Sequence, residues 1–162
     1  LMLIRLITVG KLKEKYLREG VAEYVKRLQV YTRVQLVEIP DQKIPEGASS
    51  AEEQIVLARE GEGILKFLGS PGTGVVVALD RQGQSFSSEE LANWLQATML
   101  RGQSEINWVI GGALGLDPKV LERADLRLSF SRLTFPHQLM RLILLEQIYR
   151  GFKILRNEPY HK

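Results

Sequence analysis

Two histidines, His137 and His161, are the only side chains of this 162-residue chain whose ordinary proton affinity lies near neutral pH. Cysteine is absent. That removes a thiolate nucleophile, a thiolate zinc site and an iron–sulfur cluster. Two histidines make a histidine-built metal site unexpected, and no cluster of oxygen ligands marks a magnesium site, so no metal is expected. Ser129 and Ser131 lie close to His137, as in a hydrolase. No Gly-x-Ser-x-Gly elbow exists, however, and no carboxylate is spaced to orient the imidazole. His137 instead follows Pro136 at a helix start, where a histidine is commonly a local hydrogen-bonding residue. His161 belongs to the tail Glu158-Pro-Tyr-His-Lys162. Termini ordinarily fray, so position alone leaves its role open.

Two further segments bear on ligand binding. Gly111-Gly-Ala-Leu-Gly115 follows an apolar strand, where backbone can approach a bound molecule closely. It is neither the dinucleotide fingerprint nor a P-loop: the spacing differs, no Lys-Ser/Thr follows, and Asp125 comes too early to take a ribose. A tight strand-to-helix turn accounts for it equally well. Phe130-Ser-Arg-Leu-Thr-Phe135 offers backbone donors and acceptors suited to an adenine edge and a ribose. An ordinary connector has the same composition.

The elements that must position these residues alternate along the chain. Leu3 to Val9 reads as a strand, and Tyr16, Leu17, Val21, Tyr24, Val25 and Leu28 recur at helical spacing. A second strand around Val34 to Ile39 stops at Pro40, and Asp41 to Ser50 is a long loop. Ser50-Ala-Glu-Glu53 reads as a capping box for a helix with Ile55, Leu57, Ala58, Ile64 and Leu65 inward, weakened later by Gly61 and Gly63. Val75 to Leu79 is a buried strand, and Ser87-Ser-Glu-Glu90 caps the next helix. Strands at Ile106 to Ile110 and Leu126 to Phe130 flank a short helix begun by Asp117-Pro118. Pro136 opens a last helix running to about Leu155. The pattern predicts one α/β domain over residues 1–162, a mostly parallel sheet with helices on both faces. The last helix carries apolar residues around most of its circumference, more than one sheet face covers, which predicts a homodimer.

Charge is segregated. Residues 1–37 carry 8 basic and 3 acidic side chains, residues 38–63 carry 2 and 7, and residues 119–162 carry 9 and 4. The net +3 therefore hides two basic ends around an acidic middle. Either these are solvated helix faces, or the fold joins the ends into one positive face for a phosphate backbone. The apolar runs fall far short of the about 20 residues of a membrane span, and the start lacks a signal-peptide core. A soluble cytoplasmic protein is expected, with no membrane partner. Met2 stands where a start codon would, so Leu1 reads as an addition ahead of it.

Four motifs together resemble the ribosomal large-subunit (23S rRNA) methyltransferase H family, of the SPOUT class. They are Leu6-Ile-Thr-Val-Gly-Lys11, Ile110-Gly-Gly-x-x-Gly-Leu116, Leu128-Ser-Phe-Ser-x-x-Thr-Phe-Pro-His137 and Pro159-Tyr-His-Lys162, in order and spanning the chain from Met2. The resemblance implies a homodimeric SPOUT-type α/β fold with a C-terminal trefoil knot. It implies methyl transfer from S-adenosyl-L-methionine to N3 of a pseudouridine in large-subunit rRNA, on assembled ribosomes. The implied cofactor-binding residues are Leu79, Gly111, Phe130, Ser131, Arg132, Leu133, Thr134 and Phe135. Tyr160, His161 and Lys162 are implied in substrate recognition and catalysis. In that chemistry Tyr160 stacks on a base, His161 accepts or steers the N3 imide proton, and Lys162 favours the anionic imide. Arg5, Lys11, Lys13, Lys15, Arg132 and Arg150 are candidates for the rRNA-facing surface. Competing readings are a cofactor-free RNA- or ribosome-binding factor, a nucleotide-binding oxidoreductase, and a SPOUT methyltransferase of another RNA such as tRNA.

Overall fold

A computed structural model describes residues 2–162; the reading of Leu1 lies outside them. Strands and helices alternate as β1 (Leu3–Val9), α1 (Lys15–Leu28), β2 (Arg33–Ile39), α2 (Ser50–Leu68), β3 (Val75–Ser85), α3 (Ser88–Leu100), β4 (Glu105–Ile110), α4 (Pro118–Arg123), β5 (Leu126–Ser129) and α5 (His137–Leu155). The five strands form one sheet in the order β2-β1-β4-β3-β5, every pair parallel. Strand alternation sorts the apolar side chains into two layers. Ile4, Leu6, Val77, Ile106 and Trp108 face α1, α3 and α5. Ile7, Val9, Val76 and Val109 face α2 and α4. The sheet is therefore covered on both faces, as the largely apolar central strands β1, β4 and the first half of β3 require.

Three local expectations are corrected. The N-cap of α2 is Ser49, not Ser50: its Oγ accepts from the Glu52 N–H at 3.2 Å, and the Glu52 carboxylate accepts from the Ser49 N–H at 3.0 Å. The inward face of α2 is Val56, Glu60, Gly61, Ile64 and Leu68, whereas Ile55 is 53% exposed. Gly61 and Gly63 decide this rotation. A Cβ on Gly61 would stand 2.8 Å from Asp117 Cβ, and one on Gly63 2.7 Å from Ile39 Cγ2. These glycines let α2 approach its neighbours and do not end it. The third correction is that β3 continues past Leu79 to Ser85, with a break of register against β5 between Leu79 and Gln84.

The apolar circumference of α5 is covered largely within the chain. It packs over β4 and between α1 and α3, with Leu142 filling the space left by Gly20. One cation anchors its first turn. Arg141, 3% exposed, donates to Glu38 Oε2 at 2.9 Å and to the carbonyls of Val9 and Gly10 at 3.0 and 2.9 Å.

Arg141→Met removes the side-chain donor from the carbonyls of Val9 and Gly10 and should cost about 2–4 kcal/mol in urea denaturation. Glu60, buried beside the glycine loop, has its carboxyl pushed up by burial, against the pull of the Gln42 N–H it accepts from. An acid whose folded value is raised gains stability as pH falls through that value. Thermal melts should therefore show wild type gaining on Glu60→Gln as pH drops from 8 to 5, and an unchanged gap would refute this.

Candidate active site

An all-parallel sheet brings every strand's carboxyl end to one edge. The chain leaves β3 toward α3 on one face and leaves β4 toward α4 on the other. Departures to opposite faces open a crevice, the usual ligand position in such sheets. Here the crevice is a cleft of about 600 Å³ at the ends of β3, β4 and β5. That volume suits a nucleotide-sized ligand.

Its walls are two backbone loops and a bulge. The first loop is Gly111 to Gly115, closed so tightly that a Cβ on Gly111 would lie 2.3 Å from the Gly115 carbonyl oxygen. The second is the segment after β5, which supplies Phe130, Ser131, Leu133, Thr134 and Phe135. There the Ser131 hydroxyl accepts from the Leu133 N–H at 3.0 Å. The bulge is the register break of β3, where Gly83 lies flat on the β5 backbone; a Cβ there would meet the Arg127 carbonyl at 2.5 Å. It carries Asp80 and Arg81 to the cleft, and Arg81 donates to Thr134 Oγ1 at 2.6 Å. Apolar walls around Leu79, Ile110, Phe130 and Phe135 suit an aromatic ring, and the two loops present polar backbone beside them.

Of the cofactor residues expected from sequence, Leu79, Gly111, Phe130, Ser131, Leu133, Thr134 and Phe135 line this cleft together. Arg132 is exposed and is not among its lining residues. Tyr160 and His161 lie elsewhere, against α5, with Tyr24 of α1 on one side and Glu89 of α3 on the other. The Tyr160 hydroxyl donates to Glu146 Oε2 at 2.7 Å and sits 3.2 Å from the Tyr24 hydroxyl. Its ring stands edge-on to Tyr149 at 4.9 Å, with the Arg150 guanidinium 4.8 Å from its centre. Burial first, then the bonds to Tyr24 and Glu146, push the Tyr160 phenol well above its ordinary value, so it remains protonated. His161 is clasped at both nitrogens, Nδ1 at 3.0 Å from Arg150 and Nε2 at 2.6 Å from Glu89. Lys162 is exposed. A second hollow of about 350 Å³ shares Leu128, Phe130 and Phe135 with the cleft and runs on to Ser88 and Gln147, the neighbours of Glu89 and Glu146.

The expected basic surface is sorted by its pairings. Arg5 is bound to Glu105, Asn107 and Gln35, and Arg150 to Glu146, so both are occupied within the fold. Lys11, Lys13 and Lys15 are exposed. The first two sit on a loop clipped to α5: the Lys13 N–H donates to Gln138 Oε1, and Gln138 Nε2 donates to the Lys11 carbonyl, each at 3.2 Å.

Sequence reasoning missed Asp80, Arg81 and Met140 at the cleft, and dismissed His137, which lines it. The signal for the first two was the glycine in Asp80-Arg-Gln-Gly83, which announces a bulge after an apolar strand. His137 is half-buried; burial, and next the Arg141 cation, lower its proton affinity, while Asp41 raises it.

A family model described as predicted SPOUT methyltransferase matches residues 2–161. The ribosomal RNA large subunit methyltransferase H of Alkaliphilus oremlandii is 59% identical over 161 residues, covering 99% of this chain and all of that protein. Its counterpart in Symbiobacterium thermophilum is 58% identical with the same coverage. Among solved structures, a probable methyltransferase from Bordetella pertussis superposes with a TM-score of 0.55 at 12% identity, over 91% of this chain and 95% of that one. A probable methylase family protein from Haemophilus influenzae gives 0.54 at 13% identity, over 99% and 70%. These two share the fold. The chain belongs to the SPOUT methyltransferase family, alongside the ribosomal RNA large subunit methyltransferase H proteins.

Proposed function

We propose that this protein methylates N3 of a pseudouridine in large-subunit rRNA on the assembled ribosome, with S-adenosyl-L-methionine as methyl donor. The observation that carries the reading is the cleft walled by Gly111–Gly115 and Phe130–Phe135, in a chain matching rRNA large subunit methyltransferase H proteins end to end. The donor supplies a methyl group already activated on a sulfonium, so the protein's work is alignment and exclusion of water. Phe130, Phe135 and Leu79 would enclose its adenine, and the backbone of the two loops would supply donors and acceptors for the ring edge and the ribose. The full set Leu79, Gly111 and Phe130–Phe135 includes Arg132, which would contribute through its backbone, since its side chain is exposed.

The working unit is a homodimer. Within one chain the tail is held beside Arg150, about three turns along α5 from the cleft-lining Met140. A second copy brings its own Tyr160, His161 and Lys162 to the first copy's cleft. There Tyr160 stacks on a base, His161 orients the acceptor, and Lys162 favours the anionic imide. Leaving edge strand β5, α5 returns over β4 to pack between α1 and α3, a path that supports a trefoil knot in the C-terminal part. Lys11 and Lys13, beside the cleft through Gln138, take rRNA phosphates. No described helix is long and apolar enough to cross a membrane; the protein works with ribosomes in the cytoplasm.

Calorimetric titration should show S-adenosyl-L-methionine binding and no NADH binding, and radiolabelled methyl should transfer to ribosomes lacking the modification. Gly111→Ala should lose donor binding, because its methyl collides with the Gly115 carbonyl. Ribosome binding without donor binding would establish a cofactor-free factor instead. Ribosome affinity should fall steeply with salt, and the Lys11→Gln/Lys13→Gln double variant should flatten the log–log slope by about 1.5–2. An unaltered slope would remove these lysines from the interface.

A further inference from the structure

Methylating N3 of a base requires its imide proton to leave, and the acceptor must hold a free lone pair at neutral pH. His161 as folded does not have one. The Arg150 guanidinium has only protons to offer, so His161 Nδ1 accepts from it, and the ring proton therefore sits on Nε2 and is donated to Glu89. Both nitrogens of that imidazole are engaged.

His137 differs in each respect. It is the first residue of α5 and forms part of the cleft wall, with Gly111 and Phe135. No hydrogen bond among the described residues contributes to its proton affinity. Charges approach it from every surrounding element. Arg141 lies one turn along α5, locked to Glu38 of β2. Asp41 follows β2, and the Lys11–Lys13 loop after β1 is clipped to the adjacent Gln138. Asp80 and Arg81 of β3 line the same cleft. Burial, and next the Arg141 cation, hold the proton affinity of this imidazole below its ordinary value, against the pull of Asp41.

We propose that His137 is the proton acceptor of the methyl transfer, its free ring nitrogen taking the N3 proton of the base. This rests on the methyl-transfer reading above. The N3–carbon bond forms as the methyl–sulfur bond breaks, with that electron pair staying on sulfur. The proton passes from N3 to the imidazole and then to water. His161 is left as a group that orients the tail and the acceptor.

Two readouts test this. The chain holds only two histidines, so His137→Gln assigns both ring signals in a carbon–proton NMR titration. His137 should titrate below the ordinary value of about 6.5. Single-turnover methyl transfer to undermethylated ribosomes should lose rate as pH falls through that same value. His137→Gln should be at least about 100-fold slower at pH 7, with donor affinity by calorimetry within threefold of wild type. Its rate should then climb with hydroxide concentration, and imidazole added to His137→Ala should restore transfer. His161→Gln should keep the acidic limb. The proposal is overturned if His137→Gln keeps its rate or limb, or if His161→Gln removes the limb. It is overturned equally if the His137 loss is one of donor affinity, or if His137 titrates above pH 7. Wild type that transfers no methyl at any pH would sink the methyl-transfer reading itself.

Discussion

The Arg141 guanidinium is the fixed point of the molecule. It is buried where the carboxyl ends of β1 and β2 meet the first turn of α5, and it satisfies two strand-end carbonyls and one carboxylate at once. A planar cation with donors in a fixed fork suits that task, where a lysine would supply a single point of charge. The consequence is positional. His137 and Met140 face the cleft from the turn that Arg141 holds, and Gln138 in that turn clips the basic Lys11–Lys13 loop beside them. Displacing α5 would disturb the cleft, the loop and the charge around His137 together.

The cleft itself arises from close backbone approaches that only glycine permits. Gly111 folds the loop after β4 back onto Gly115, and Gly83 lays the β3 bulge against β5. Neither contact leaves room for a Cβ. The space released is lined by apolar side chains and edged by peptide groups, a combination that recognises a flat heteroaromatic ring without charge. Arg81, bonded to Thr134, ties the bulge to the loop after β5. Two walls that belong to different strands are thereby joined.

The C-terminal tail is held by a polar network of its own. Glu146 accepts from Arg150 and from Tyr160, and Arg150 in turn donates to His161. Glu89, whose carboxyl is held below its usual range by His161, closes the far side. Tyr160 and His161 are thus tied to the fold, contrary to the usual fate of a terminus, while Lys162 is exposed. None of the three is among the lining residues of the cleft of the same chain.

Periodicity and turn chemistry determined the element order, because apolar alternation and capping residues act over a few neighbouring positions. All ten elements, the parallel sheet and the caps at Ser87 and Asp117 follow from them. The family resemblance, carried by short motifs in fixed order, named eight cofactor residues, and the fold brings seven of them to the wall of one cleft. Three things lay beyond local patterning. The inward face of α2 depended on what Gly61 and Gly63 touch, the bulge of β3 on its fit against β5, and the cover of α5 on α1 and α3. The histidines show the division most clearly. The sequence determined that only two imidazoles exist, but burial and hydrogen bonding depend on partners distant along the chain. Tertiary structure alone decided that His161 is clasped by Glu89 and Arg150 while His137 faces the cleft.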